Sequence, residues 1–354
     1  MLTGEQRREL EKQQYRLVGS HSAVKICGWT KSMIQGKGGC YKLKFYGIMS
    51  NQCMQMTCSF SCPNRCIICW RGYKAPVAEK WEWEADEPDS IIDGCMKAHH
   101  QLLVGFAGSE SADMDAYEKS KQVKHMAISL TGESIMYPKI NEMIAECGKQ
   151  GISTFLVSKG QYPEEIRKLR PVSQLYLSLD GPTRELVEEI DKPVFKDHWE
   201  RLEKSLDELA KKNQRTCIRV TLIKGVNMVK PEGWAKLILK GDPDFIEVKA
   251  YMFLGASRKR LKEENMPLHP EVKKFTKRLA SHLPGWEIVS EHVPSRVVLL
   301  AKKKFKINEE WHIWIDFDKW NEINASGPDA MDYIKKTPDK ALTDESCEEM
   351  GLWE

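Results

Sequence analysis

From residue 56 the chain alternates between short β-rich runs and longer stretches with helical spacing. The β-rich runs are "MTCSF" (56–60), "VKHMAISL" (123–130), "GISTFLVS" (151–158), "SQLYLSLD" (173–180), "TCIRVTLI" (216–223) and "DFIEVKAYMF" (244–253). Helical stretches are expected at 89–103, with Asp89 as N-cap, and at 137–149, 163–169, 194–212 and 231–240. Strands separated by helices must run parallel, because each crossover returns the chain to the same end of the sheet. Six such units predict an α/β fold, either an incomplete (βα)6 barrel or an open doubly wound sheet. In both, functional groups gather where strands end and loops begin.

The alternation divides the chain. Residues 1–54 form an N-terminal extension rich in Gly, Lys and Cys, and 55–260 the core. Residues 261–320 form a C-terminal extension in which 284–320 reads as further strands, and 321–354 is expected to be a weakly ordered acidic tail. "WHIWIDFDKW" (311–320) reads as a core strand. The net charge of +3 hides an asymmetry: 321–354 holds nine acids and three lysines, so the remainder carries +9. A basic body suits a polyanionic partner such as RNA, or is simply a solvated surface. No apolar run reaches a membrane span of about 18 residues, and the charged start lacks a signal-peptide core. A cytoplasmic protein, with no membrane partner and as a monomer, is expected. Reducing cytosol then turns the 11 cysteines from disulfides toward metal or redox chemistry.

Cys62, Cys66 and Cys69 form C-x3-C-x2-C directly after the first core strand. Thiolates select zinc or iron–sulfur clusters. A structural zinc site needs four ligands, and adding Cys58 gives an unusual spacing. Three ligands on one loop suit a cubane with one iron left open. Buried structural thiols are a third reading, which Pro63 and Arg65 in the loop disfavour. In its βα context the motif resembles the radical S-adenosylmethionine (SAM) superfamily. There three cysteines hold a 4Fe–4S cluster, and the open iron chelates the amino and carboxylate groups of SAM. One electron then cleaves SAM to methionine and a 5′-deoxyadenosyl radical. Ile68 departs from the aromatic residue usual before the third cysteine. "SLTGES" (129–134) is similar to the superfamily's Gly-Glu motif, which makes Gly132 and Glu133 the expected seat of the SAM ammonium. Ser158 and Asp180, at the ends of the third and fourth strands, are further contacts to SAM or substrate, or ordinary helix caps. Lys159 stands where the family described next often has Asn, which puts a direct role there in doubt.

Cys27, Cys40 and Cys53 form a second set, C-x12-C-x12-C, with Gly36, Gly38 and Gly39 permitting tight turns before Cys40. The ordered motifs "AVKICGWTK", "GGCYKLKFYGI", "NQCMQMT", "CPNRCIICWR", "ISLTGES", "IEVKAYMFLGASR", "MPLHPEV" and "WIDFDKW" resemble the tRNA 4-demethylwyosine synthase family, archaeal type, over about residues 15–320. Eukaryotic members carry a flavodoxin-like domain ahead of this region, so an external electron donor is expected. The resemblance implies two 4Fe–4S clusters and SAM. It also implies condensation of N1-methylguanosine in tRNA-Phe with pyruvate, as a carbon–carbon lyase. Pyruvate is held either by the open iron of the second cluster or by a lysine as a Schiff base. Chelation is preferred, with Lys42 as nearby acid, base or imine former; Lys42 and Lys44 share a face if their stretch is extended. Candidate tRNA contacts are Trp70, Arg71, Tyr73, Arg258, Lys259 and Arg260, with "AKKKFK" (301–306) as a further basic stretch. Glu247 and Lys249 share one face of the sixth strand, as inward groups or a plain ion pair. Two other functions stay open: a different radical SAM enzyme acting on nucleic acid or a small molecule, and a zinc-stabilised RNA-binding protein.

Overall fold

A computed structural model describes residues 2–71 and 76–342. Six strands run parallel in sequence order: β3 (Cys53–Thr57), β4 (His125–Ile128), β5 (Ser153–Ser158), β6 (Gln174–Leu179), β7 (Thr216–Leu222) and β8 (Phe245–Ala250). An N-terminal hairpin, β1 (Arg16–Val18) and β2 (Ser22–Val24), extends one edge antiparallel. A second hairpin, β9 (Trp286–His292) and β10 (Val297–Lys302), extends the other through β10. The ten-stranded sheet runs β1-β2-β3-β4-β5-β6-β7-β8-β10-β9, with no pairing between its ends. The flanks thus lengthen the partial (βα)6 barrel at both edges. No helix among the described residues is long and apolar enough to cross a membrane.

Each face of the sheet has its own apolar core. The outer face carries alternate strand residues such as Met54, Met126, Leu156, Leu175 and Ile218 against the helices. The inner face stacks Phe155, Tyr176, Cys217 and Phe245 against Phe45 and Tyr46 of a short helix, Tyr41–Tyr46, and against Phe305, Trp320 and Tyr333. Parallel strands covered on both sides leave near-continuous apolar runs, which is why they were legible.

Four expectations are corrected. The helix at 89–103 runs Pro88–Leu103 with Glu87 as its cap residue; Asp89 lies inside its first turn. "WHIWIDFDKW" is no core strand: short pairs at Glu310–Trp311 and Trp314–Ile315 lead into a helix, Phe317–Ile323. Residues 321–342 are packed rather than loose. Tyr333 is buried, accepts the Arg215 N–H at 2.8 Å and donates to Ser173 at 3.2 Å, so this segment floors the inner core. The stretch 301–306 lies at the opposite end from the strand C-termini, where Lys302 pairs with Asp242 and Lys304 with Asp244 just before β8.

Candidate active site

The loop after β3 carries the first thiol set. Cys62 and Cys66 are buried and Cys69 is half-buried. Burial pushes the Cys62 thiol up to about 11, and the neighbouring Cys69 thiol adds to the rise. Cys66 is pushed well up by burial, then by the Asp191 carboxylate, with Cys62 and Cys69 adding to it. Two buried thiols raised in this way need a cation or cluster to ionise, and Cys69 lies beside them. Cys58 turns the other way, its Sγ 3.6 Å from the Ser134 carbonyl, beside Cys95 and Cys147. It is a core residue and no fourth ligand.

Distant elements fix this loop. Arg65 N–H donates to the Asp191 carbonyl at 3.0 Å, Ile67 N–H to Ile190 at 2.8 Å, and Val194 N–H to Pro63 at 2.8 Å. Beyond β8, Ala256 N–H donates to the Trp70 carbonyl at 2.8 Å, and Arg260 binds the carbonyls of Ile67, at 3.0 Å, and Cys69. Arg71 is buried and donates to Phe60 at 2.8 Å and Asn64 at 3.2 Å, with its charge beside all three thiols. The structure therefore spends Arg71 and Arg260 inside the loop, where tRNA contacts had been expected. Arg258 and Lys259 remain exposed. Trp70 packs toward Tyr15, with Lys25 Nζ 5.3 Å from its ring centroid. Tyr73 lies outside the described residues.

The Gly-Glu turn closes over the same loop. Gly132 has φ +70°, and a Cβ there would lie 1.8 Å from the Ser59 carbonyl oxygen, so only glycine fits. Glu133 is buried and its N–H donates to Ser61 at 2.7 Å. One carboxylate oxygen accepts the Lys159 N–H at 2.9 Å; the other is buried without a partner. Burial pushes this carboxyl up to about 7, against the pull of the Lys159 N–H and the Ser158 hydroxyl. A buried acceptor with no donor suits an incoming ammonium group. Asp180 likewise keeps one oxygen unpaired, while Lys159 Nζ bonds the other and reaches Asp191 at 3.0 Å. Cys66, Asp180 and Asp191 present ligand atoms within 4.8 Å of one another, and the Lys159 ammonium supplies the cation for both carboxylates. Sequence reasoning left Lys159 without a role; its carboxylate partners converge only in three dimensions. These residues fit a SAM-bearing cluster.

The second set also converges. Cys27 precedes the helix Gly28–Ile34, Cys40 precedes Tyr41–Tyr46, and Cys53 opens β3. Ser50 ties the three segments: its carbonyl accepts Thr30 Oγ1 and its hydroxyl accepts the Cys40 N–H, both at 2.9 Å. Burial pushes Cys53 up to about 12, with Cys40 and Cys27 adding to the rise and the Lys42 ammonium opposing it. Cys27 is raised by burial and by Cys40, and lowered by N–H groups of Trp29 and Thr30 and by Lys42. Lys42 and Lys44 do not share a face, because two positions on a helix lie about 200° apart. Lys42 points inward, 4.7 Å from the Tyr176 ring centroid; Lys44 is fully buried. No disulfide joins any of the ten described cysteines.

A three-thiol loop after the first parallel strand, facing a Gly-Glu turn on the second, defines a radical SAM protein. The radical SAM superfamily model matches residues 56–238, and a wyosine base formation model matches 240–302. The chain is 45% identical over 351 residues to the SAM-dependent tRNA 4-demethylwyosine synthase of Xenopus laevis, and 43% to that of Homo sapiens. Each alignment covers 97% of this chain and 48% of the relative, so the chain spans about half the length of the curated relatives it matches. A solved TYW1 with a lysine–pyruvate adduct bound superposes with TM-score 0.79 at 36% identity, covering 87% of this chain and 99% of the other. An archaeal TYW1 gives 0.71 at 32%, with the same coverage. The chain belongs to the tRNA 4-demethylwyosine synthase family.

Proposed function

We propose that this chain condenses N1-methylguanosine in tRNA-Phe with two carbons of pyruvate to form 4-demethylwyosine, as a carbon–carbon lyase that releases the carboxylate carbon of pyruvate. The observation that carries the reading is the pairing of two thiol sets, the second with Lys42 beside it and reaching into the barrel. Cys62, Cys66 and Cys69 would hold the SAM-binding cluster, and Cys27, Cys40 and Cys53 the second. Bound at the first set, cluster and SAM supply a carbon radical able to take a hydrogen atom from an unactivated methyl group. Glu133 accepts the SAM ammonium on its unpaired oxygen, and Asp180 offers a second buried acceptor.

Lys42 attacks the keto carbon of pyruvate as the neutral amine. The proton that the lysine ammonium gave up returns to the carbinolamine hydroxyl, which leaves as water, and a cationic C=N bond replaces the carbonyl. The exocyclic amine of guanine later displaces the lysine at the same carbon and closes the ring. A relative bears a lysine–pyruvate adduct, which moves the weight from iron chelation to the imine. Arg258, Lys259 and the open side of Trp70 flank the strand C-termini and suit the anticodon arm. The test is anaerobic iron content and product formation, for wild type and for Ala replacements of each thiol set. About eight irons in wild type and about four in each variant are expected. SAM cleavage should be lost only with the 62/66/69 set, and product with either. Full product from either variant, or zinc in place of iron, would overturn the reading.

A further inference from the structure

The strands of the barrel keep residual exposure at a few positions only: Cys53 and Gln55 on β3, Val157 on β5, Arg219 and Thr221 on β7, and Lys249 on β8. Alternate strand residues share one side of a sheet. On β7 and β8 these positions continue the inward series begun by Cys217 and Phe245. The inner core therefore fills the barrel below these positions, and above it the inward side chains keep a partial path to solvent, which marks a lumen.

The lumen is unusually cationic. Arg219 sits 5.9 Å from the Tyr176 ring centroid, the ring that Lys42 also approaches at 4.7 Å. Lys249 lies 5.2 Å from the Tyr41 ring and donates to the Ser295 carbonyl at 2.7 Å. Glu247, paired in register with Arg219, is the carboxylate that acts on Arg219 and Lys249. Both its oxygens are engaged, one by the Tyr41 hydroxyl and one by the Tyr46 hydroxyl, each at 3.0 Å. Glu247 and Lys249 are therefore both inward, and the lysine bonds Ser295 rather than forming a simple pair with Glu247. The Tyr176 hydroxyl is buried with no partner. Lys42 also faces the thiols of the second set, whereas Arg219 and Lys249 share the single, already engaged carboxylate of Glu247, so an anion placed between these two cations would offset charge in a partly desolvated space.

We propose that Arg219 and Lys249 seat the carboxylate of the 2-oxo acid whose keto carbon Lys42 attacks. This rests on the imine reading of Lys42. The planar guanidinium fork matches a carboxylate edge, and the Lys249 ammonium supplies a second donor. The seat lies inside the barrel, so it takes a small monoanion and no RNA phosphate. Its role is selection: a 2-oxo acid is held by both ends, whereas a neutral ketone of the same size meets only the lysine.

The experiment uses the full chain, reconstituted anaerobically. Borohydride trapping followed by mass spectrometry gives the pyruvate concentration for half-maximal adduct at Lys42, with pyruvamide as the uncharged isostere. Wild type should prefer pyruvate over pyruvamide by at least about 10-fold. Arg219→Gln and Lys249→Met should each raise the half-maximal pyruvate concentration about 10- to 100-fold and erase that preference. Arg219→Lys, which keeps the charge and loses the fork, should fall between. SAM binding, iron content and melting temperature report whether the variants are folded. Unchanged half-saturation and preference in folded variants would overturn the seat. Equilibrium dialysis of labelled pyruvate against Lys42→Ala, with and without Arg219→Gln, separates the two claims. Retention that depends on Arg219 keeps the seat even if Lys42 never traps pyruvate, which would sink the imine reading alone. No retention in Lys42→Ala overturns the seat.

Discussion

Glu133 gives a prediction in which stability and binding move in opposite directions. The perturbation is Glu133→Gln, which keeps shape and removes charge. In the apoprotein, burial raises the carboxyl from its ordinary 4.5 to about 7. A carboxyl with the higher pKa in the folded state binds more protons there than in the unfolded chain. Its contribution is therefore full below pH 4.5 and is lost as pH climbs through 7. At about 1.4 kcal/mol per pH unit, the rise is worth about 3 kcal/mol, nearly all of it spent by pH 8. Glutamine does not titrate, so the variant should gain on wild type by about 2.5 kcal/mol between pH 5 and pH 8. For 354 residues that is a relative gain in melting temperature of about 3 °C. SAM should bind about 10- to 150-fold more weakly, because a bond from the ammonium to a carboxylate is worth about 1.5–3 kcal/mol. Calorimetry of the apoprotein at the two pH values and equilibrium dialysis with SAM read both effects. Parallel melting curves at pH 5 and 8 would refute the buried-carboxylate argument. Equal SAM affinity would remove Glu133 from the site.

Arg71→Ala should lower iron retention and cost about 2–4 kcal/mol, since it strands the Phe60 and Asn64 carbonyls; the salt dependence of tRNA binding should not change. Arg258→Ala and Lys259→Ala should do the reverse, each flattening the log–log salt slope by about one and leaving the iron intact. Gly255→Ala places a Cβ 2.5 Å from the Trp70 carbonyl at a residue with φ +56°. Iron analysis should then show loss at the first set and retention at the second, although Gly255 lies far from any cysteine in sequence. Tyr333→Ala should cost about 3–5 kcal/mol in urea unfolding, because Tyr333 is buried in the inner core and its hydroxyl pairs with Arg215 and Ser173. A loss under about 1 kcal/mol would return 321–342 to the status of a loose tail.

What was legible in the sequence depended on the range of the interactions. The six parallel strands stood out because burial on both faces writes continuous apolar runs. The cysteine sets stood out because thiols are rare and their spacing is local. The helix Tyr41–Tyr46 did not. Six residues are too few to display a period, and its boundaries rest on an extended Cys40 and a left-handed Gly47. Reading that stretch as extended put Lys42 and Lys44 on one face, whereas the helix sends them apart. The segment after 320 was misread because its acidic composition outweighed one aromatic residue, Tyr333, whose hydrogen-bond partners Arg215 and Ser173 lie more than a hundred residues away. Arg71 and Arg260 were misread for a related reason. A basic residue near a cluster motif serves equally as an RNA contact or as a brace, and only the carbonyls it meets decide between them.

Those carbonyls explain how a three-thiol loop can keep its shape. Bringing the thiols together gains little by itself, since Cys62 and Cys66 are pushed toward the neutral form by burial and by their neighbours. The loop geometry must come from elsewhere, and it comes from backbone bonds to 190–194 and 255–260, with Arg71 and Arg260 adding charge-assisted ones. The segment 255–260 belongs to the region matched by the wyosine base formation model, outside the superfamily match. The part of the chain particular to this family thus holds the part common to the whole superfamily. Arg258 and Lys259, on the same turn as Arg260, carry their charges to the surface beside it. A substrate bound by those two residues would press on the turn that fixes Ile67, Cys69 and Trp70. Where the proposed tRNA contact at Arg258 and Lys259 holds, its coupling to the first thiol set needs no moving domain, because both are joined to one short turn of backbone.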